Sequence, residues 1–239
     1  MSLKNRAAAR VAGLALLVLL LGACGPQGPV VRHHGDWPSM ETVVIVPFEN
    51  LAERYEPDTA VRSPISGRVF MTGPVAVEAD RFLTGQLVSH VQRDTTFEIL
   101  SAGDSTAVPE AVADRPGDDG NRLEQLSQYG RRLGADAVFT GHVFRFQERI
   151  GAGFSAQSPA SVAFDIYLID CRQPRVLWSA FYSYTQQALS ENLGGMGNFF
   201  RRGGRWVTAE ELAAAAMEDI FADFRDRKSS QAENDSGPD

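Results

Sequence analysis

Few residues in this chain could do chemistry, and most of them stand apart. The stretch "SENLGGMGNFFRRGGRW", residues 190–206, gathers glycines, arginines and aromatic rings between a strand-like run and a helix-like run. "GGMGNFF" lacks the glycine spacing of a dinucleotide or phosphate loop and does not open directly into its helix. Phe199, Phe200 and Trp206 beside Arg201, Arg202 and Arg205 are residue types enriched in the buried parts of protein interfaces. This loop is a candidate partner-binding surface, with a lid over the domain's own core as the alternative. His33, His34 and Asp36 lie on a Gly- and Pro-containing stretch without the rigid shell a metal site needs. His90, in a helical run, and His142, in a strand, read as packed side chains without a local partner. Ser105 as a nucleophile would need a histidine base oriented by a third group, and no histidine follows His142. No Cys or His grouping has zinc spacing, and no glycine loop ends in Lys-Ser or Lys-Thr. The expectation is a protein that is not an enzyme and uses no cofactor or metal.

The amino terminus is more specific. "MSLKNRAAAR" carries Lys4, Arg6 and Arg10 with no acid, and the apolar "VAGLALLVLLLGA" precedes Cys24. A basic start, about a dozen apolar residues and small residues before a cut describe an export signal, and the apolar run is short of the roughly 20 residues that span a bilayer. "LGAC", Leu21–Cys24, resembles the lipobox of bacterial lipoproteins. The resemblance implies cleavage after residue 23, a diacylglycerol on the Cys24 thiol, and an acyl-chain anchor in a membrane. Gly25, where an aspartate would mark retention at the inner membrane, implies the outer membrane, facing the periplasm.

Losing residues 1–23 removes three positive charges and takes the formal net charge from -7 to -10. An acidic protein is a poor match for nucleic acid, whose binding rests on Lys and Arg against phosphates. The chain has two cysteines, so acylation of Cys24 leaves Cys171 unpaired, and a buried structural thiol is the expectation.

The elements that must position these residues follow from periodicity. Residues 24–41, Cys24 and then "GPQGPVVRHHGDWPSME", read as the lipidated residue and a flexible tether, with a reach of roughly 60 Å. "TVVIVPF" from Thr42 predicts a strand buried on both faces, and the long segment after it predicts a mobile or functional loop. Val75, Ala79, Phe82, Leu83, Leu87 and Val91 predict a first helix; "FEILSA" predicts a short strand; Leu123, Leu126, Tyr129 and Leu133 predict a second helix closed by Gly134. Three β-rich runs then predict a meander, and Thr208 with Glu211 forms a capping box before a third helix. The fold class is α/β: one layered domain over residues 42–226, a mixed five-stranded sheet with a parallel start and an antiparallel meander, about three helices, and a disordered tail at 227–239.

"VVIVPFEN", "LGADAVFTGHVFRF", "SVAFDIYLID" and "VLWS", in that order behind a lipobox, resemble the periplasmic domain shared by the curli-secretion lipoprotein, the lipoprotein activators of penicillin-binding proteins and the amino-terminal domain of TolB. The resemblance covers about Thr42 to Arg225. It implies an accessory, activator or assembly factor that binds another envelope protein. Two rivals remain open. An oligomeric secretion-channel component would make this a homo-oligomer, although no pair of long alternating hairpins is evident. A periplasmic esterase is the other, because "AGDST" around Ser105 is similar to the nucleophile block of a lipolytic family; the Asp-x-x-His that the family carries near its carboxyl end is missing here.

Overall fold

Thr42–Ile45 (β2) sits inside a mixed sheet because its valines meet apolar side chains on both faces, with Val43 and Val44 fully buried. The structure, a computed structural model, describes residues 28–100, 121–152, 155–186 and 207–235, and these belong to one compact unit. The expected meander forms from three long strands: Ala137–Gln147 (β7), Ser161–Asp170 (β10) and Arg175–Thr185 (β11) pair antiparallel. β2 runs parallel both to β7 and to Glu98–Ile99 (β6), since helices Ala79–Asp94 (α1) and Arg122–Arg132 (α2) supply the crossovers. The sheet has seven strands rather than five. Val30–His33 (β1) adds itself to the free edge of β11, and Glu49–Asn50 (β3) pairs with β7. β1 corrects the expectation of a flexible tether over residues 24–41: its two valines are flanked by glycines and prolines, and its strand partner β11 is distant in sequence.

Both faces of the sheet are covered. On one, Leu83, Leu87 and Val91 of α1 join Leu212, Ile220 and Phe221 of the long helix Ala209–Asp235 (α3) against the sheet, around the buried ring of Trp178. On the other, Leu126 of α2 packs beside a hairpin of Ala60–Arg62 (β4) and Val69–Met71 (β5). That hairpin corrects the expectation of a mobile loop. Val61 and Phe70 alternate inward, and the Phe70 ring stacks on Phe144 with centroids 4.1 Å apart. Each such buried side chain contributes about 1.5–3 kcal/mol.

Several local signals are realised in the backbone. Thr208 Oγ1 accepts from Glu211 N at 3.1 Å while Glu211 Oε2 accepts from Thr208 N at 3.0 Å, a reciprocal capping box. Gly134 closes α2 with φ +79°, a conformation that favours glycine. Asp136 accepts from Glu41 N and Thr42 N and so clamps the start of β2 to the start of β7. The first helix begins at Ala79 rather than Val75, because Glu78 adopts φ +69° and Val75 bridges to Phe146 in the sheet. α3 continues to Asp235, beyond the expected end at residue 226; its last turns are rich in helix formers and no Gly or Pro occurs before Gly237.

Candidate functional site

Cys24, Ser105, Phe199, Phe200, Arg201, Arg202, Arg205 and Trp206 all lie outside the described residues. The two helix- and strand-borne histidines, read from sequence as lacking a local partner, are described, and both have one. His142 stands opposite Asp165 across the β7–β10 ladder, with Nδ1 2.7 Å from Asp165 Oδ1. His142 N donates to the same oxygen at 3.1 Å. The second carboxylate oxygen accepts from the Tyr167 hydroxyl at 2.7 Å, and Ser63 Oγ and Ser66 Oγ lie 2.8 and 2.7 Å from that hydroxyl. A phenol has one proton and a carboxylate can only accept, so the Tyr167 proton goes to Asp165 and the serines serve as donors to the phenol oxygen. Burial and the neighbouring Asp165 push the Tyr167 hydroxyl far above the usual tyrosine range, which keeps it a donor.

This network links three segments of sequence, yet no substrate can touch its centre. His142 and Asp165 are both 0% exposed, and His142 Nε2 has no hydrogen-bond partner among the described residues. An imidazole sealed on all sides can orient strands but cannot exchange protons with a bound molecule. The network is therefore a polar rivet that holds the turn of the β4–β5 hairpin to the sheet.

His90 is paired within its own helix, four residues from Asp94, at 2.9 Å. Its ring stacks on Phe221 with centroids 4.9 Å apart. Arg93 holds the Asp94 carboxyl well below the usual carboxylate range, with His90 and Arg225 adding to the effect against burial. Arg93 also reaches Glu218 at 2.6 Å, so this cluster fastens α1 to α3. Cys171 is buried and unpaired, and burial pushes its thiol up to about 12, with Asp170 adding to it. Such a thiol is packing material and a poor nucleophile.

Among the described residues, one feature open to a ligand is a groove of about 570 Å³ at the start of α1. Phe82 and buried Phe146, with centroids 6.0 Å apart, make its apolar part. Val77, 92% exposed, stands at its margin. Glu78, Glu148 and Glu210 also line it; Glu78 is paired with Arg81 at 2.5 Å, and Glu148 accepts from the first backbone N–H of α3 at 3.1 Å. The left-handed Glu78 turns Val77 outward, and no apolar periodicity could have signalled that. The groove's lining contains no Ser, Thr, Cys, His or Lys. Its apolar wall is rimmed by three carboxylates against one arginine, Arg81.

No protein-family model matches this sequence, and no curated protein matches it. Among solved structures, it is similar to a PelC dodecamer from Paraburkholderia phytofirmans at 13% identity and TM-score 0.44, over 80% of this chain and 94% of that one. It is similar to lipoprotein GNA1162 from Neisseria meningitidis at 16% identity and TM-score 0.37, over 68% and 94%. The LpoB C-terminal domain from Salmonella enterica gives 12% identity and TM-score 0.33, over 64% and 88%.

Proposed function

We propose that this chain is a lipid-anchored envelope protein, held through Cys24 at the periplasmic face of the outer membrane, whose α/β domain acts by binding another envelope protein as an accessory, activator or assembly factor. The groove beside α1 carries the reading. It pairs an exposed aliphatic side chain and two rings with three carboxylates against the single Arg81, the composition of a docking site for an apolar and basic segment. The export signal and the "LGAC" block support the address, and the burial of His142 with Asp165 removes the one described histidine–carboxylate pair in the sheet from any substrate. The loop residues Phe199, Phe200, Arg201, Arg202, Arg205 and Trp206 remain proposed contacts on the grounds of residue type alone.

A photoreactive residue placed at Val77, and in a second strain at Phe199, tests this in intact cells. The expected result is one discrete adduct with a different envelope protein, lost when Phe82 is replaced by Ala in the Val77 strain. A ladder of self-adducts would replace this reading by a homo-oligomer, and the absence of adducts from both positions would overturn it. Ester hydrolysis that disappears in Ser105→Ala would restore the enzyme alternative.

A further inference from the structure

The protein is acidic, yet one region collects arginines that form no ion pair among the described residues. Arg32 of β1 and Arg68 of the hairpin turn both lie over the ring of Phe181, 5.8 and 4.8 Å from its centroid. Arg62, opposite Val69 in the hairpin, spends one nitrogen on the carbonyl of Gly67. Arg145 extends over the same sheet face to Ser161 and Ser183 and to the carbonyl of Met71. Among the described residues none of these four forms an ion pair, whereas Arg54, Arg93, Arg122 and Arg225 each hold a carboxylate. Asp58 is the acid that acts on Arg145, and it does so at a distance. Exposed apolar side chains interleave with them: Val69 is 50% and Met71 44% exposed on the outward side of the hairpin.

The position of this region along the chain says what it faces. β1 begins at Val30, so only residues 25–29 separate Cys24 from the sheet, a reach of at most about 20 Å rather than the roughly 60 Å of a free tether. Val30, 40% exposed, pairs with Phe181 itself, so the anchor enters the fold beside the arginines. Arginines interleaved with exposed aliphatic side chains suit an interface of phosphate headgroups and acyl chains.

We propose that the arginine face around Phe181 rests on the anionic phospholipid surface in which Cys24 is anchored. The inference builds on the lipidation reading, and its test removes the lipid so that the two can fail separately. Residues 24–239 with Cys24→Ala, which contain every strand and helix described above, would be sedimented with vesicles of phosphatidylcholine alone or with one-third phosphatidylglycerol. Each arginine near such a surface strengthens binding by about fivefold. The unlipidated chain should bind the anionic vesicles at low salt, bind the neutral ones far less, and release as salt rises. Arg32→Gln, Arg62→Gln and Arg68→Gln together should weaken the partition by on the order of a hundredfold, and Arg62→Gln alone by about fivefold. Unchanged circular dichroism and melting would show the triple variant folded; if it were not, the single variant decides. No binding to anionic vesicles, equal binding to both kinds, or binding unaffected by the substitutions would overturn the proposal. Loss of lipid labelling at Cys24 is a separate readout that none of these results touches.

Discussion

Tyr167→Phe removes one oxygen from the centre of the buried network and tests whether that network fastens the β4–β5 hairpin. The hydroxyl bonds Asp165, Ser63 and Ser66 at 2.7, 2.8 and 2.7 Å, and Tyr167 is 1% exposed, so no water replaces it. A hydrogen bond to a charged group contributes about 1.5–3 kcal/mol, and the serines lose their acceptor as well. The expected loss is about 2–3 kcal/mol in denaturant unfolding, or a fall of roughly 5–10 °C in melting temperature for a chain of this size. Because Ser63 acts through the same oxygen, Ser63→Ala should cost about 1 kcal/mol less in the Tyr167→Phe background than alone. Hydrogen exchange should quicken in residues 60–71 before it does in β10. Additive single and double variants, or a loss below about 0.5 kcal/mol, would refute the rivet.

Three further expectations follow from the same coordinates. The depressed Asp94 carboxyl contributes stability that is present above the ordinary aspartate range near pH 4 and is lost as pH falls through its lower folded value. Unfolding midpoints measured from pH 6 to 2 should therefore fall below about pH 5, and less steeply in Asp94→Asn. Cys171 should resist thiol reagents at pH 8 in the native protein and react once unfolded, since its thiol titrates near 12; rapid native labelling would contradict its burial. In Gly130→Ala the new Cβ would clash with Cys171 Sγ and lie 2.6 Å from Val138 Cγ2, so overpacking should cost about 1–3 kcal/mol, with partial recovery in the double variant with Cys171→Ala.

What could be read in advance depended on how local each cause is. The meander, the Thr208–Glu211 box and the glycine stop at Gly134 depend on neighbouring residues, and they appear in the structure where periodicity and capping chemistry put them. The β4–β5 hairpin was hidden because only Val61 and Phe70 point inward from a long polar stretch, and their partner, Phe144, is more than 70 residues away. β1 was hidden for the same reason, since its pairing with β11 joins residues about 150 apart. His142 reads as partnerless because Asp165 comes into register only through the ladder, whereas the His90–Asp94 pair, four residues apart on one helix face, is legible from spacing alone. The groove depends on the left-handed turn at Glu78, a non-glycine conformation without a composition signal. The arginine face joins β1, a hairpin turn and β7, elements that adjoin only in the folded sheet.

The address on which the functional account rests has a direct test. Cells producing the chain would be fed a radiolabelled fatty acid and fractionated into inner and outer membranes. The account predicts label on the wild-type protein in the outer-membrane fraction and none on Cys24→Ala. Label that persists in Cys24→Ala, or a wild-type protein recovered unlabelled from the soluble fraction, would contradict it.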